Sequence, residues 1–439
     1  MNAIRFFNAH IIDPSQLIDG IGYLDVVNGV VDAIGIGTPP KTGKFEQVID
    51  CKSSCLSPGL VDMRVQPADP GSEHLESLAT LLAAAANGGI TALACLPDTR
   101  PVIDEASAID SLCLRASRIG GTRLYAYGAA TKSLAGTEMA ELGLMAEAGA
   151  IGFTNSTTSI DDSLIMRRLL AYSGMLDKPF IQHCEDHALT ANSEMNEGET
   201  STRLGLLGSP SEAEVIIIDR DLHLLRRTDA RYHVAHISTR AGIEAVRQAK
   251  AEGLAVTADT SPPYFLLNEL AISTYNTAFK LSPPLRSEDD RQAVIEGLAD
   301  GTIDAISSDH MPVDRDAKMQ PFGPAQPGAS GVDTLLALSL TLVHQGHISM
   351  TRMIEALSLA PASILDMTGG TLSPGSAADF ILFRPNISWI INGANFKSNS
   401  RITPFESHPV QGIVDATYVD GAAIFLRQQT GRNSFNQER

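Results

Sequence analysis

Eight short apolar runs, separated by stretches with helical spacing, constrain this 439-residue chain more than any other feature. The runs are Leu56–Asp62, Ile90–Leu96, Arg123–Gly128, Ala150–Thr154, Phe180–His183, Tyr232–His236, Leu254–Ala258 and Ile303–Ser307. Amphipathic spacing between them predicts helices over His74–Asn87, Ser107–Arg118, Asp162–Tyr172, Ser211–Arg226, Ala241–Ala251 and Glu288–Leu298, and a further one over Val332–His344. Eight β-α units in series are the pattern of an α/β fold, the (β/α)8 TIM barrel, whose parallel strands are covered on both faces.

The flanks read differently. Ile4–Phe7, Leu24–Asn28, Val30–Ile36 and Val48–Asp50 are short strands, and so are Asp379–Phe383, Gly412–Val419 and Ala422–Phe425. Neither flank holds enough apolar residues for its own core, so both termini are expected to build one small β-sandwich domain. The expected division is 1–54 for its N-terminal part, 55–366 for the barrel and 367–439 for its C-terminal part and a polar tail. Disorder is expected only in that tail, Gln428–Arg439. The Pro- and Gly-rich segment Pro312–Ser330 is too long for an ordinary connection and follows the eighth run, where a barrel keeps an active-site loop.

Composition narrows the function classes. Lys and Arg total 33 against 51 Asp and Glu, a net charge of −18 that disfavours nucleic acid and anionic membranes as partners. No run reaches 18 apolar residues and the N-terminus shows no signal-peptide pattern, so a cytoplasmic protein is expected. The five cysteines, Cys51, Cys55, Cys95, Cys113 and Cys184, are scattered and expected to be reduced.

Barrel chemistry sits at the C-terminal ends of the strands. The polar residues there are Arg64, Gln66, Asp98, Asn155, His183, His236, Asp259 and Asp309. His183, His236 and Asp309 arrive from three strands and form the donor set of a two-His, one-carboxylate zinc site. The alternative is that each histidine is a hydrogen-bonded core residue.

The runs SPGLVDMRVQPADPGSEHLES, ALACLPDTRPVID, QHCEDHAL, LGLLGSPSEAE, VAHISTRAG, KLSPPLR, DGTIDAISSDHMP and PFGPAQPGASGVDTLL occur in an order that resembles the cyclic amidohydrolases, and most of all dihydroorotase. The likeness extends into both flanks through GVVDAIG, LSPGSAADFILF and SRITPFESHPVQG. It implies a metal-dependent barrel with a composite β-sandwich and the interconversion of carbamoyl aspartate and dihydroorotate in pyrimidine synthesis.

The chain departs from the family pattern where that chemistry is done. A His-x-His pair that ligates the first metal is replaced by Arg64 and Gln66, and the bridging carboxylated lysine or aspartate of the fourth strand by Asn155 and Ser156. A guanidinium stays protonated and cannot bind zinc. By the same resemblance His183 and His236 belong to the second metal and Asp309 to the first, so neither metal keeps a full ligand set. Substrate contacts have also changed. Ala68 stands for the carboxylate-gripping arginine, Asp98 for the asparagine of PNT, Ser282 for that of NPPLR, and Val313 for the histidine after DHAP.

The expected function is therefore a pseudoenzyme that, like inactive homologues, assembles with and stabilises aspartate carbamoyltransferase as a homo- or hetero-oligomer. The rival is an active cyclic amidohydrolase with one residual zinc on His183, His236 and Asp309, the last also serving as general base. A metabolite sensor using the empty barrel is a third, generic reading. Without metal, Arg64 is expected to pair with Asp309, and His183 and His236 to bond to each other, to Gln66 or to water; the alternative is that Arg64 extends into solvent.

Overall fold

The computed structural model describes residues 3–41 and 43–428; the sequence's polar tail lies outside them except for Gln428. Eight parallel strands form the barrel: Leu60–Val65, Ile90–Cys95, Arg123–Ala126 continued by Gly128–Ala129, Phe153–Thr154, Phe180–His183, Tyr232–Ala235, Val256–Thr260 and Ala305–Ile306. Val65 pairs with His310, and the Gln66 N–H donates to the His310 carbonyl at 2.9 Å, which closes strand eight onto strand one. The expected (β/α)8 architecture is present.

Alternation along the strands divides the core into two layers. Val61, Met63, Ala92, Ala94, Tyr127, Ile181, Ala235 and Ala305 fill the barrel interior, largely with small side chains. Leu60, Ile90, Leu93, Phe153, Phe180 and Val234 pack outward against the helices. The helices run over Leu78–Gly88, Ala106–Ile119, Ser163–Met175, Glu212–Leu225, Arg240–Ala251, Glu288–Asp300 and Leu335–His344, within a few residues of the sequence reading. Side-chain caps fix several starts: Ser77 accepts from the Thr80 N–H, Asp162 from Leu164 and Ile165, and Thr239 from Gly242.

Both ends of the chain enter one eight-stranded sheet, in the order Ala422–Leu426, Pro409–Val419, Phe380–Ile390, Cys55–Pro58, Ala3–Asp13, Ile18–Val27 and Val30–Ile36, with Gln47–Asp50 also on Ala3–Asp13. Phe6, Phe380 and Tyr418 join at its core, the last two rings stacked 4.5 Å apart. One expected strand is corrected. The run Leu56–Asp62 is two strands: Cys55–Pro58 pairs with Phe380–Phe383 in the terminal sheet, and the barrel strand begins at Leu60. The break is Gly59, where a Cβ would lie 2.2 Å from the Thr91 side chain. All five cysteines are free.

Candidate functional site

The C-terminal end of the barrel is assembled around a buried carboxylate. Asp62 Oδ1 accepts the Arg64 N–H at 3.3 Å and the Ser308 N–H at 3.1 Å, tying the end of the first strand to the end of the eighth. Burial pushes its carboxyl up to about 6. The strand-one pairing is irregular between Asp62 and Val65, which places Arg64 at the mouth of the barrel beside Asp309.

Arg64 does not extend into solvent. Its Nε donates to Asp309 Oδ1 at 2.9 Å and an Nη to the Ser156 carbonyl at 3.4 Å; the side chain is 3% exposed. The other guanidinium nitrogen, Nη1, is buried and has no hydrogen-bond partner among the described residues. Asp309 Oδ2 faces His236 Nδ1 at 3.0 Å, His236 Nε2 faces His183 Nδ1 at 2.7 Å, and His183 Nε2 faces Glu185 Oε2 at 2.8 Å. Five side chains thus form one hydrogen-bonded ladder across the barrel, from Arg64 to Glu185.

The chemistry of the donors orders the protons. A carboxylate only accepts, so His236 Nδ1–H donates to Asp309 and its Nε2 must accept from His183 Nδ1–H. His183 Nε2, at the far end of the ladder, faces the Glu185 carboxylate. Burial raises the Glu185 carboxyl, but His183 outweighs it and holds it at about 2. Asp309 behaves alike: burial raises it, while His236 and Arg64 bring it down to about 2. Burial and the Arg64 charge lower His236 to about 4 against the pull of Asp309. His236 and Asp309 both have positive φ, 36° and 51°, a conformation that non-glycine residues adopt where surrounding contacts hold them. Asp259 supplies one such contact, accepting the His236 N–H at 2.8 Å while bonded to His233 and Ser307.

The remaining residues singled out in the sequence separate into three groups. Gln66 donates its amide to Asp98, whose carboxyl is raised by burial against the effect of that bond. Asn155 faces the neighbouring loop: its Oδ1 accepts from Thr131 at 2.6 Å, and its Nδ2 donates to Thr158 at 2.8 Å and to the Leu134 carbonyl at 3.1 Å. Ala68 is buried with φ of 49°, Val313 is buried against Ser400, and Ser282 lines the mouth cavity. That cavity, between Arg64, His236, Asp309 and Phe405, measures about 30 Å³. Pro312–Ser330 contributes Gly328 to Ser330 to its wall and includes a short helix, Arg315–Lys318.

Two contributors were missed in the sequence. Glu185, two residues after His183, was available in QHCEDHAL as a second-neighbour carboxylate. His310 sits 3.6 Å from buried Glu76, which also accepts from Ser398, Asn399 and Thr80; no local signal joins residues so far apart.

These groups do not fit a zinc ion as placed. Two nitrogens on one tetrahedral zinc, each about 2.0–2.1 Å from it, stand roughly 3.4 Å apart; His183 Nδ1 and His236 Nε2 are 2.7 Å apart and share a proton. Asp309 is occupied on both oxygens, one of them by a permanent cation. Among the described residues no three His, Cys, Asp or Glu side chains are disposed to hold a metal.

Residues 53–242 match the family described as dihydro-orotase-like. The dihydroorotase of Syntrophus aciditrophicus is 40% identical over 417 residues, 94% of this chain and 97% of that protein. The chain belongs to the dihydroorotase-like family. The dihydroorotase of Syntrophotalea carbinolica is 41% identical, over 96% of this dihydroorotase-like chain and 99% of its own length. Among solved structures, the L-hydantoinase (dihydropyrimidinase) of Arthrobacter aurescens superposes with a TM-score of 0.88 at 23% identity, covering 99% of this chain and 98% of its own. The dihydropyrimidinase of Brevibacillus agri superposes at 0.80, with 21% identity, over 96% and 94%. These two share the barrel and the terminal sheet with the dihydroorotase-like chain. No helix among the described residues is long and apolar enough to cross a membrane.

Proposed function

We propose that this chain is a dihydroorotase-like pseudoenzyme of pyrimidine synthesis, retained in the cytoplasm as an assembly or stabilising partner of aspartate carbamoyltransferase. One observation carries the loss of catalysis: the Arg64 guanidinium is bonded at 2.9 Å to Asp309, the carboxylate expected to hold the first metal. A permanent cation there opposes a second one, and the ladder beyond it consumes the lone pairs that a zinc would need. The cavity of about 30 Å³ has room for water, not for a six-membered ring bearing a carboxylate. Asp98 and Ala68 leave the expected carboxylate grip without a cation. The partner rests on the resemblance to inactive homologues that accompany that enzyme.

The test mixes the chain with aspartate carbamoyltransferase of the same cell. A joint gel-filtration peak at micromolar concentration and a melting temperature of the transferase that rises with added chain are expected. Two separate peaks and an unchanged melting temperature count against assembly.

The second reading is an active zinc amidohydrolase that hydrolyses dihydroorotate. The observation favouring it is 40% identity, over nearly the full length, to a protein named dihydroorotase. On this reading His183, His236 and Asp309 take the metal after Arg64 swings away, and Asp309 is the general base. Zinc-dependent turnover that disappears in His183→Ala selects it over the first.

A further inference from the structure

A second cavity, of about 280 Å³, lies outside the barrel mouth. It is bounded by Asn87 and Gly88 at the end of the first barrel helix, by Leu336 and Ala337 at the start of the last, and by Gly412–Val414 of the terminal sheet. The two cavities share one segment: Thr334 and Leu338 face the mouth, while Asp333, Leu336 and Ala337 face the cleft.

Its lining combines an aromatic wall with two cations that have no ion-pair partner among the described residues. Trp389 is fixed by its indole N–H, which donates to the Gly412 carbonyl at 2.7 Å, and Phe396, Leu336 and Val414 make the surrounding wall apolar. Arg427 donates to the Val414 carbonyl at 2.7 Å and reaches Asn87 only at 3.5 Å, with no carboxylate at ion-pair distance among the described residues. The nearby Asp415 is taken by Arg384 at 2.6 and 2.8 Å. Burial, helped by the Arg384 charge, lowers the proton affinity of Arg427 against the opposing pull of Asp415. The Lys397 ammonium and the Asn395 amide have no side-chain partner among the described residues. Among the described lining residues Asp333 brings the one carboxylate, and it already accepts from Asn87 at 2.9 Å, Lys397 N–H at 3.0 Å and Ser398 N–H at 3.3 Å. Two cations against one committed carboxylate leave the lining one positive charge in excess.

We propose that this cleft binds a small aromatic monocarboxylate, its ring against Trp389 and its carboxylate between Arg427 and Lys397. A guanidinium and an ammonium suit a carboxylate, an indole suits a planar ring, and the single excess charge suits a monoanion. The volume approaches the lower end of ordinary ligand pockets, about 300 Å³.

Trp389 is the chain's only tryptophan, so fluorescence excited selectively in tryptophan reports on this cleft. The full chain is titrated with benzoate and, separately, with its neutral isostere benzamide. Saturable quenching by benzoate with little response to benzamide is expected, and Lys397→Glu, at an exposed position, should weaken benzoate about tenfold or more without lowering the melting temperature in buffer. As a second measurement, benzoate should raise the melting temperature of the unaltered chain and raise that of Trp389→Phe less. Equal responses to both compounds, no saturation, or undiminished benzoate binding by Lys397→Glu overturns the proposal; if Lys397→Glu melts early, Lys397→Gln takes its place with the same expectation.

Discussion

Arg64 and Asp309 are 245 residues apart in sequence and bonded at 2.9 Å across the seam where the barrel closes. The seam explains why the substitution is tolerated. Strand eight meets strand one there, so a cation on one strand end lies beside the carboxylate of the other. Arg64 does electrostatically part of what a metal would do: it neutralises a mostly buried carboxylate that would otherwise be costly.

Removing that cation should destabilise the fold. Arg64→Ala leaves Asp309 with only His236, and losing one partner of a buried pair costs about 3–5 kcal/mol. Asp309 retains 20% exposure, which brings the expectation to the lower end. Urea unfolding of Arg64→Ala should show a loss of about 3 kcal/mol, and Arg64→Lys should recover only part of it because an ammonium cannot reproduce both the Asp309 and Ser156 contacts. An unchanged midpoint would show that the pair is incidental.

Restoring the family's histidine pair should restore metal without restoring turnover. In Arg64→His/Gln66→His the guanidinium is gone and Asp309 is released, so zinc content should rise above that of the unaltered chain. Hydrolysis of dihydroorotate should stay at background, because Ala68, Asp98, Ser282 and Val313 still stand where the resemblance implies other, substrate-binding side chains. Turnover returning with zinc would place the whole defect in the metal ligands.

The loop after strand eight carries a separate pH dependence. Lys318 is buried, and among the described residues its ammonium is bonded only to the carbonyls of Thr277 at 2.9 Å and Lys280 at 3.0 Å; burial, then the Lys280 charge, lowers it to about 7. Above that value the unfolded chain still binds the proton that the folded chain has released, so this group makes stability rise with pH from about 7 toward 10. Unfolding free energies at pH 7, 8 and 9 should therefore rise for the unaltered chain relative to Lys318→Met. Parallel pH profiles would refute the assignment.

How much of this was legible follows from where each signal lies. Barrel strands are buried on both faces, so runs such as Ile90–Leu96 stand out as apolar blocks. Leu56–Asp62 misled for the same reason: Cys55–Pro58 and Leu60–Val65 are both fully buried, and only Gly59 marks the crossing between sheets. At the site, residue type at strand ends located Arg64, His183, His236 and Asp309. It also drew in Asp259 and Asn155, whose side chains serve the backbone of His236 and the loop after strand three. Glu185 was passed over because it follows the strand end, and strand periodicity no longer governs direction there.

On the proposed reading, Arg64 and the ladder behind it stand where the family would hold its metal. The direct measurement is zinc content by elemental analysis of the full chain purified without chelators, with dihydroorotate hydrolysis assayed on the same sample. Zinc far below one per chain and hydrolysis no faster than the blank are expected. One zinc per chain, with turnover abolished by His183→Ala, would contradict that reading.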